Sequence, residues 1–458
     1  MRNYNILILG LLLTLFGSCT TAQNDTKETS TKTPPNIIFI MADDLGYGDL
    51  GCYGQRLIKT PNIDKMAAEG LKFTQCYAGS TVCAPSRSVL MTGKHTGHTT
   101  VRGNFGVGGV TGLGGGEGRV PLQNEDTTIA ELLQQVGYTT GMIGKWGLGE
   151  PNTSGEPNKK GFDEFWGFLN QRRAHTYFPD YIWHNADKIN LKENNDHQKA
   201  TYVHDIFLEQ TLSFIKNNQN NPFFLYLPFT LPHDEYEIDT LGQYADSTHW
   251  TVEEQTYAAM VTRMDYEVGR ILSTLKAEGL DDNTIVFFCS DNGAAQRWEG
   301  RFNSSGNLRG RKRDMYEGGI RTPMIVRFPK HINAGETSDF VWSFVDILPT
   351  LASIGGAKTV QSDGQDVSTM LLSNSHTDNN SDRILYWEFY EGGFQQAVRY
   401  KQWKGVLTSL DANWELYNLE EDVSERNNLA DSHPEIVDLI VNFANNQHVP
   451  SPFFIVDK

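Results

Sequence analysis

Four predominantly apolar runs, at 36–41, 138–143, 222–227 and 284–289, the first of them β-branched, restrict this chain to one kind of architecture. Each has strand length and no polar face, as expected of a strand covered on both sides. Between them lie stretches with helical spacing at 60–69, 127–136 and 251–278. The first opens on Thr60-Pro61 and closes at Gly70, and the second closes at Gly137. Strands alternating with helices predict a mainly parallel α/β sheet flanked by helices. A further strand at 323–328 and a helix at 344–354 continue the pattern. In such a sheet the carboxyl ends of the strands gather at one edge, where ligands bind.

The residues delivered to that edge are chemically specific. Asp43 and Asp44 follow the first run, Lys145 the second, His233 the third, and Asp291 and Asn292 the fourth. A bare Asp-Asp pair reads as a solvated turn. At a buried strand end, however, adjacent carboxylates repel unless a cation neutralises them. With the side-chain oxygens of Asp291 and Asn292 they make a donor set for a hard ion, Ca²⁺ or alternatively Mg²⁺.

From about Gly356 the pattern changes. A polar linker at 374–381 precedes short aromatic strands at 384–390, 396–400, 403–406 and 415–419, then a helix near 434–445. This predicts a smaller C-terminal antiparallel sheet subdomain over 357–458, after a catalytic domain over 36–356. At the other end, Arg2, an apolar run at 6–16 and small residues before Cys19 predict a lipoprotein-type signal peptide over 1–19. Cys19 then becomes a lipid-anchored N-terminus, the alternative being an ordinary cleaved signal. Residues 20–35 are polar and read as a disordered tether. The expected location is the periplasm or cell surface, held to the membrane by lipid.

The net charge of −17 argues against nucleic-acid binding and requires any polyanionic substrate to find a local positive site. The densest basic cluster is 308–313, containing Lys312. The 5 cysteines, Cys19, Cys52, Cys76, Cys83 and Cys289, leave little for a disulfide framework once two have other uses. The segment 94–118, rich in Gly, His and Thr, reads as a loop at the rim of a pocket.

One short stretch carries the most specific information, Cys83-Ala84-Pro85-Ser86-Arg87 followed by Thr92-Gly93. No partner Cys or His stands at metal-finger distance. Proline suits a first helical turn, whose free N–H groups favour an anion, and Arg87 falls one turn from Cys83 on the same face. The string resembles the signature of the type I, formylglycine-dependent sulfatases. Three further segments carry the resemblance. Gly144-Lys145-Trp146-Gly147-Leu148-Gly149 is similar to the family's Gly-Lys-Trp-His-Leu-Gly, with Gly147 where many members have a histidine. His233 ends a strand-to-Pro-His element, and Lys312 precedes Tyr316-Glu317-Gly318-Gly319 by four positions.

The resemblance implies an alkaline-phosphatase-like fold and a sulfatase mechanism. Cys83 is oxidised to formylglycine by a formylglycine-generating enzyme, and one hydroxyl of the hydrated aldehyde attacks sulfur. His233 protonates the leaving alcohol. The second hydroxyl then loses its proton, expelling sulfate. Arg87 holds the hydrate, Lys145 and Lys312 hold the sulfate, and Asp43, Asp44, Asp291, Asn292 and residue 83 ligate Ca²⁺. His175 is the candidate for the place left empty at Gly147, or for holding the sugar. The expected substrate is a sulfated carbohydrate such as an ulvan, carrageenan or glycosaminoglycan oligosaccharide, with Trp146, Trp166, Trp183 and Trp387 as candidate stacking platforms. Two alternatives stand beside this reading: a phosphodiester or phosphonate monoester hydrolase of the same superfamily, and a catalytically inactive sugar-binding lipoprotein.

Overall fold

The computed structural model describes Met1, residues 34–373 and residues 382–456. The signal segment with Cys19, most of the tether and the linker at 374–381 lie outside the described residues. The main sheet is built from β1 (Asn36–Ala42), β2 (Leu71–Tyr77), β3 (Thr139–Lys145), β4 (Glu164–Phe168), β5 (Tyr181–His184), β6 (Asp187–Asn190), β7 (Phe223–Pro228), β8 (Thr284–Ser290), β9 (Arg321–Arg327) and β10 (Glu336–Ser338). Its order is β10-β2-β9-β8-β1-β7-β3-β4-β5-β6, and a two-residue strand, β11 (Trp342–Ser343), also pairs with β2.

Strands β8, β1, β7, β3 and β4 run parallel. The four apolar runs are the first four of these, side by side at the centre. Strand β9 lies antiparallel to β8, and β2 antiparallel to β9, so β2 points the same way as β1. Along β1, Ile37, Phe39 and Met41 enter one core while Ile38, Ile40 and Ala42 enter the other. That two-sided burial is why the run is apolar from Ile37 to Ala42.

Helices α1 (Pro61–Ala68), α2 (Cys83–Thr92), α3 (Ile129–Gln135), α4 (Val203–Asn217), α5 (Val252–Ala277), α6 (Glu317–Ile320), α7 (Ile347–Gly355), α8 (Ser368–Leu372) and α9 (Pro434–Gln447) complete the chain. The two faces of the sheet divide the longer ones: residues of α2, α3 and α7 pack in one core, and residues of α1, α4 and α5 in the other. Helices α3 and α5 begin on capping boxes, Thr128 with Glu131 and Thr251 with Glu254. Each satisfies two N–H groups that have no partner within the helix.

The C-terminal strands β12 (Ile384–Phe389), β13 (Gln395–Tyr400), β14 (Trp403–Leu407) and β15 (Glu415–Asn418) form an antiparallel sheet in sequence order. Tyr386, Val398 and Leu416 on one face pack on Ile440 and Ala444 of α9. The opposite face sets Leu385, Trp387 and Phe389 against Tyr77, Val82 and Ile320, immediately beside the start of α2. This small sheet therefore buttresses the helix that Cys83 opens.

Two sequence expectations need correction. Trp146 and Trp387 are buried, with indole N–H groups donating to the carbonyls of Gly155 (2.6 Å) and Ala78 (2.9 Å). They are core residues and present no face to a sugar. Trp166 and Trp183 are half-buried, and Trp166 already stacks on His184 at 3.9 Å. Strand β2, unread in the sequence, alternates apolar and polar residues in its first half, and it carries the chain to the sheet edge just before Cys83.

Candidate active site

The register of β1 and β8 aligns Ala42 with Ser290, so Asp43 and Asp291 leave the sheet as neighbours. Backbone hydrogen bonds extend the pairing: Asp43 N–H donates to Leu231 O and Asp291 N–H to Ala42 O, both at 3.0 Å. Asp44 then turns into the left-handed region at φ 62°, held by its N–H donating to Asp291 Oδ1 at 3.1 Å. A non-glycine residue there is strained, and strain of this kind gathers at functional sites.

Cys83 opens α2 and is buried. Its Sγ lies 3.3 Å from Asp43 Oδ1 and 3.8 Å from Lys312 Nζ. Arg87, one turn on, donates from Nε (3.2 Å) and Nη2 (2.8 Å) to Asp291 Oδ2 and from Nη1 to Lys145 O (2.7 Å). Lys145 Nζ donates to Asp43 Oδ2 and Lys312 Nζ to Asp44 Oδ2, each at 2.6 Å. His233 Nε2 lies 3.3 Å from Asp44 Oδ2 and 3.1 Å from Lys312 Nζ. The structure thus brings Asp43, Asp44, Cys83, Arg87, Lys145, His233, Asp291, Asn292 and Lys312 into one cluster from six places in the sequence.

Burial would raise the Asp43 carboxyl, but Lys145, His233, Arg87 and Lys312 outweigh it and hold it well below the ordinary value. Asp291 goes the other way, to about 6, because burial and the Asp43 charge overcome Arg87. Burial pulls His233 down, yet the Asp44 carboxylate lifts it to about 10. With the Asp44 carboxylate free of any cation, the His233 ring therefore carries a proton at neutral pH.

The donor set fits a hard cation. Ligand atoms of Asp43, Asp44, Cys83 and His233 all lie within 4.8 Å of one another. Asn292 Nδ2 donates to Asp44 Oδ1 at 2.7 Å, while its Oδ1 is buried with no hydrogen-bond donor. A buried amide oxygen without a partner is costly unless something positive meets it.

His175 lies beside His233, the ring centroids 4.0 Å apart. Burial and the His233 charge push its pKa far down, so it is neutral. The space expected to be empty at Gly147 is filled by another residue. Gly147 has φ +79°, and a Cβ there would meet Gln171 Cγ at 2.5 Å. Gln171 Nε2 donates to Asn104 Oδ1 at 3.1 Å, and both residues line the cavity. Sequence reasoning missed Gln171, Asn104 and Asp234, whose Oδ1 lies 2.7 Å from His233 Nδ1. Asp234 was adjacent to a named histidine. Asn104 had no sequence signal beyond its glycine-rich neighbourhood, and Gln171 had none.

The site opens into a cavity of about 970 Å³, the upper end of the usual range for ligand pockets. Besides residues of the Asp44–Cys83–His233–Lys312 cluster its walls include Phe105, Tyr236, Arg119, Arg172, Arg297, Arg311 and Arg313. The loop predicted at the pocket rim does line it, through Asn104 and Phe105.

The sulfatase family profile matches residues 35–357, and that of the N-sulphoglucosamine sulphohydrolase C-terminal region matches residues 310–446. The N-acetylgalactosamine-6-sulfatase of Rattus norvegicus is 32% identical over 410 residues, covering 83% of this chain and 73% of its own. The N-acetylgalactosamine-6-O-sulfatase of Bacteroides thetaiotaomicron is 29% identical, covering 94% and 96%. Among solved structures, Ps i-CgsB in complex with k-i-k-neocarrahexaose superposes with a TM-score of 0.81 at 29% identity, covering 92% of this chain and 95% of that one.

Proposed function

The chain belongs to the sulfatase family and is a sulfuric ester hydrolase of alkaline-phosphatase-like fold, and from that premise we propose that it removes sulfate from a sulfated carbohydrate through a formylglycine made from Cys83. The observation that carries this reading is the seat of Cys83. It opens a helix within the Cys-x-Pro-Ser-Arg string, its Sγ 3.3 Å from Asp43 and 3.8 Å from Lys312. The thiol stands in for the aldehyde hydrate of the mature enzyme. The sugar substrate is supported by relatives that act on N-acetylgalactosamine 6-sulfate and by a structural neighbour solved with a carrageenan oligosaccharide.

Asp43, Asp44, Asp291, Asn292 and residue 83 would hold Ca²⁺, which when bound offsets the carboxylates and draws charge from the sulfate oxygens. Lys145 and Lys312 set fixed positive charge where the sulfuryl oxygens lie, so the charge of the transition state is met without reorganisation. Arg87, fixed by Asp291, orients residue 83. His233 holds a proton at Nε2 and gives it to the leaving alcohol oxygen, while Asp234 orients the ring through Nδ1. His175, its ring tilted 34° over that of His233, shields that proton from water and meets the leaving sugar. Gln171 occupies the position next to Gly147.

Export and lipid anchoring through Cys19 rest on residues 1–19 and belong to the same proposal. Co-expression with a formylglycine-generating enzyme should convert Cys83, read by peptide mass spectrometry. The product should release inorganic sulfate from a panel of sulfated oligosaccharides, and Cys83→Ala should not. Full activity with an unmodified thiol would refute the proposal, as would a preference for phosphonate monoesters.

A further inference from the structure

The cavity has more positive charge than one sulfate needs. Three of its arginines are already paired with carboxylates: Arg297 with Glu253 at 2.9 Å, Arg311 with Glu299 at 3.3 Å and Arg313 with Glu391 at 2.6 Å. Two are not. Among the described residues, neither Arg119 nor Arg172 has a carboxylate at ion-pair distance. Arg119 Nη1 donates to a backbone carbonyl, Asn104 O, at 2.8 Å, and its Nε is buried with no acceptor. The Arg172 side chain is exposed and lines the same wall.

The surrounding chain is arranged to keep this pair together. Arg119 stacks on the Phe105 ring, 4.4 Å from its centroid. The glycine-rich loop closes over Arg172, where a Cβ on Gly114 would come within 2.8 Å of Arg172 Cβ. Two guanidinium groups with no carboxylate at ion-pair distance repel each other. Burial holds Arg119 below its ordinary value against the more distant Glu150 and Glu391 carboxylates, and the Arg172 charge adds a smaller push in the same direction as burial. Such a pair is stabilised by an anion supplied from outside, and the cavity that holds the nucleophile is where that anion arrives.

We propose that Arg119 and Arg172 form a second anion subsite, which takes a sulfate or carboxylate on the sugar next to the one being desulfated, with that sugar's apolar face on Phe105. The inference rests on the sulfated-carbohydrate reading and narrows it: the substrate is at least a disaccharide with two anionic groups. Phe105, half exposed, is the stacking surface that the buried Trp146 and Trp387 cannot supply.

The test is binding, by calorimetry, to full-length Cys83→Ala protein, in which no probe is turned over. One probe pair is kappa- and iota-neocarratetraose, which differ by added sulfate. A second pair is chondroitin 6-sulfate disaccharide with its carboxylate intact or reduced to the alcohol. In at least one pair the more anionic member should bind about tenfold tighter, as a charge-assisted hydrogen bond provides. Which pair responds distinguishes sulfate from carboxylate. Arg172→Ala and Arg172→Glu, at an exposed position, should each remove the gap, and Arg172→Ala should leave the less anionic member's affinity within about twofold. Arg119→Ala should also remove the gap, though it disturbs Phe105 as well and is expected to weaken both members of a pair. No gap in either pair, or a gap that survives the Arg172 variants, overturns the subsite. Sulfate release by the mature enzyme is read separately, so its failure would refute the sulfatase proposal and not this one.

Discussion

His233 shows how much a single side chain depends on its setting. Its proton is held by Asp44, against both burial and the neighbouring Lys312. If it protonates the leaving group, His233→Gln should lower kcat on a sugar sulfate by about 10²–10⁴. An aryl sulfate with an acidic phenol leaves without help and should lose much less. Equal losses on both would remove the general-acid role. Gly147 gives a second test at this scale. Its φ of +79° and the 2.5 Å approach of Gln171 leave no room for a side chain. Gly147→His, which restores the residue many relatives have there, should therefore lower the melting temperature. Pairing it with Gln171→Gly should recover part of the loss. A single variant as stable as the parent would show that Gln171 moves aside freely.

At the scale of elements, the turn after β1 is tied to α5 through one buried carboxylate. Asp49 accepts hydrogen bonds from Gly46 N–H (2.8 Å), Tyr257 O–H (2.6 Å) and Ser304 O–H (2.6 Å). Burial nevertheless raises its pKa to about 6, above the value in an unfolded chain. The sign follows from linkage. The native state binds this proton more tightly, so its contribution to stability is complete below about pH 4 and lost as pH rises through about 6. Asp49→Asn keeps two of the bonds with its amide oxygen, and its NH₂ can donate to Ser304 once that hydroxyl rotates. The stability of the variant relative to the parent should therefore rise between pH 4 and 7, by on the order of 2–3 kcal/mol. Urea unfolding at a series of pH values checks this, and a difference independent of pH would contradict it.

For the whole molecule, the dominant fact is a positive cavity in a body of net charge −17. The cation proposed beside Asp43, Asp44, Asp291 and Asn292 would be held by residues that follow β1 and β8. An ion bound only by the folded state stabilises it by mass action. Chelation should lower both the melting temperature and the activity, and Ca²⁺ should restore both. An unchanged melting temperature in metal-stripped protein, confirmed by elemental analysis, would count against the site. The smaller sheet also belongs to this scale. Lys404 of β14, fully buried, bridges Glu317 at 3.0 Å and Glu425 at 3.1 Å where the C-terminal sheet meets α6.

The central sheet was legible because strands buried on both faces must be apolar throughout, and such runs stand out in any sequence. The clustering of Asp43, Asp44, Lys145, His233, Asp291 and Asn292 was legible for a related reason: parallel strands place the residues that follow them at a common edge. Cys83, Arg87 and Lys312 needed the family resemblance, since β2 alternates apolar and polar residues before Cys83 and β9 runs antiparallel to its neighbour. Burial of Trp146 and Trp387 was not legible, because an aromatic residue reads the same in a core as at a surface. Nor was the Gln171 side chain at Gly147, or the unpaired state of Arg119 and Arg172. Those depend on which groups from distant segments stand within a few ångströms, and only the tertiary structure sets that distance.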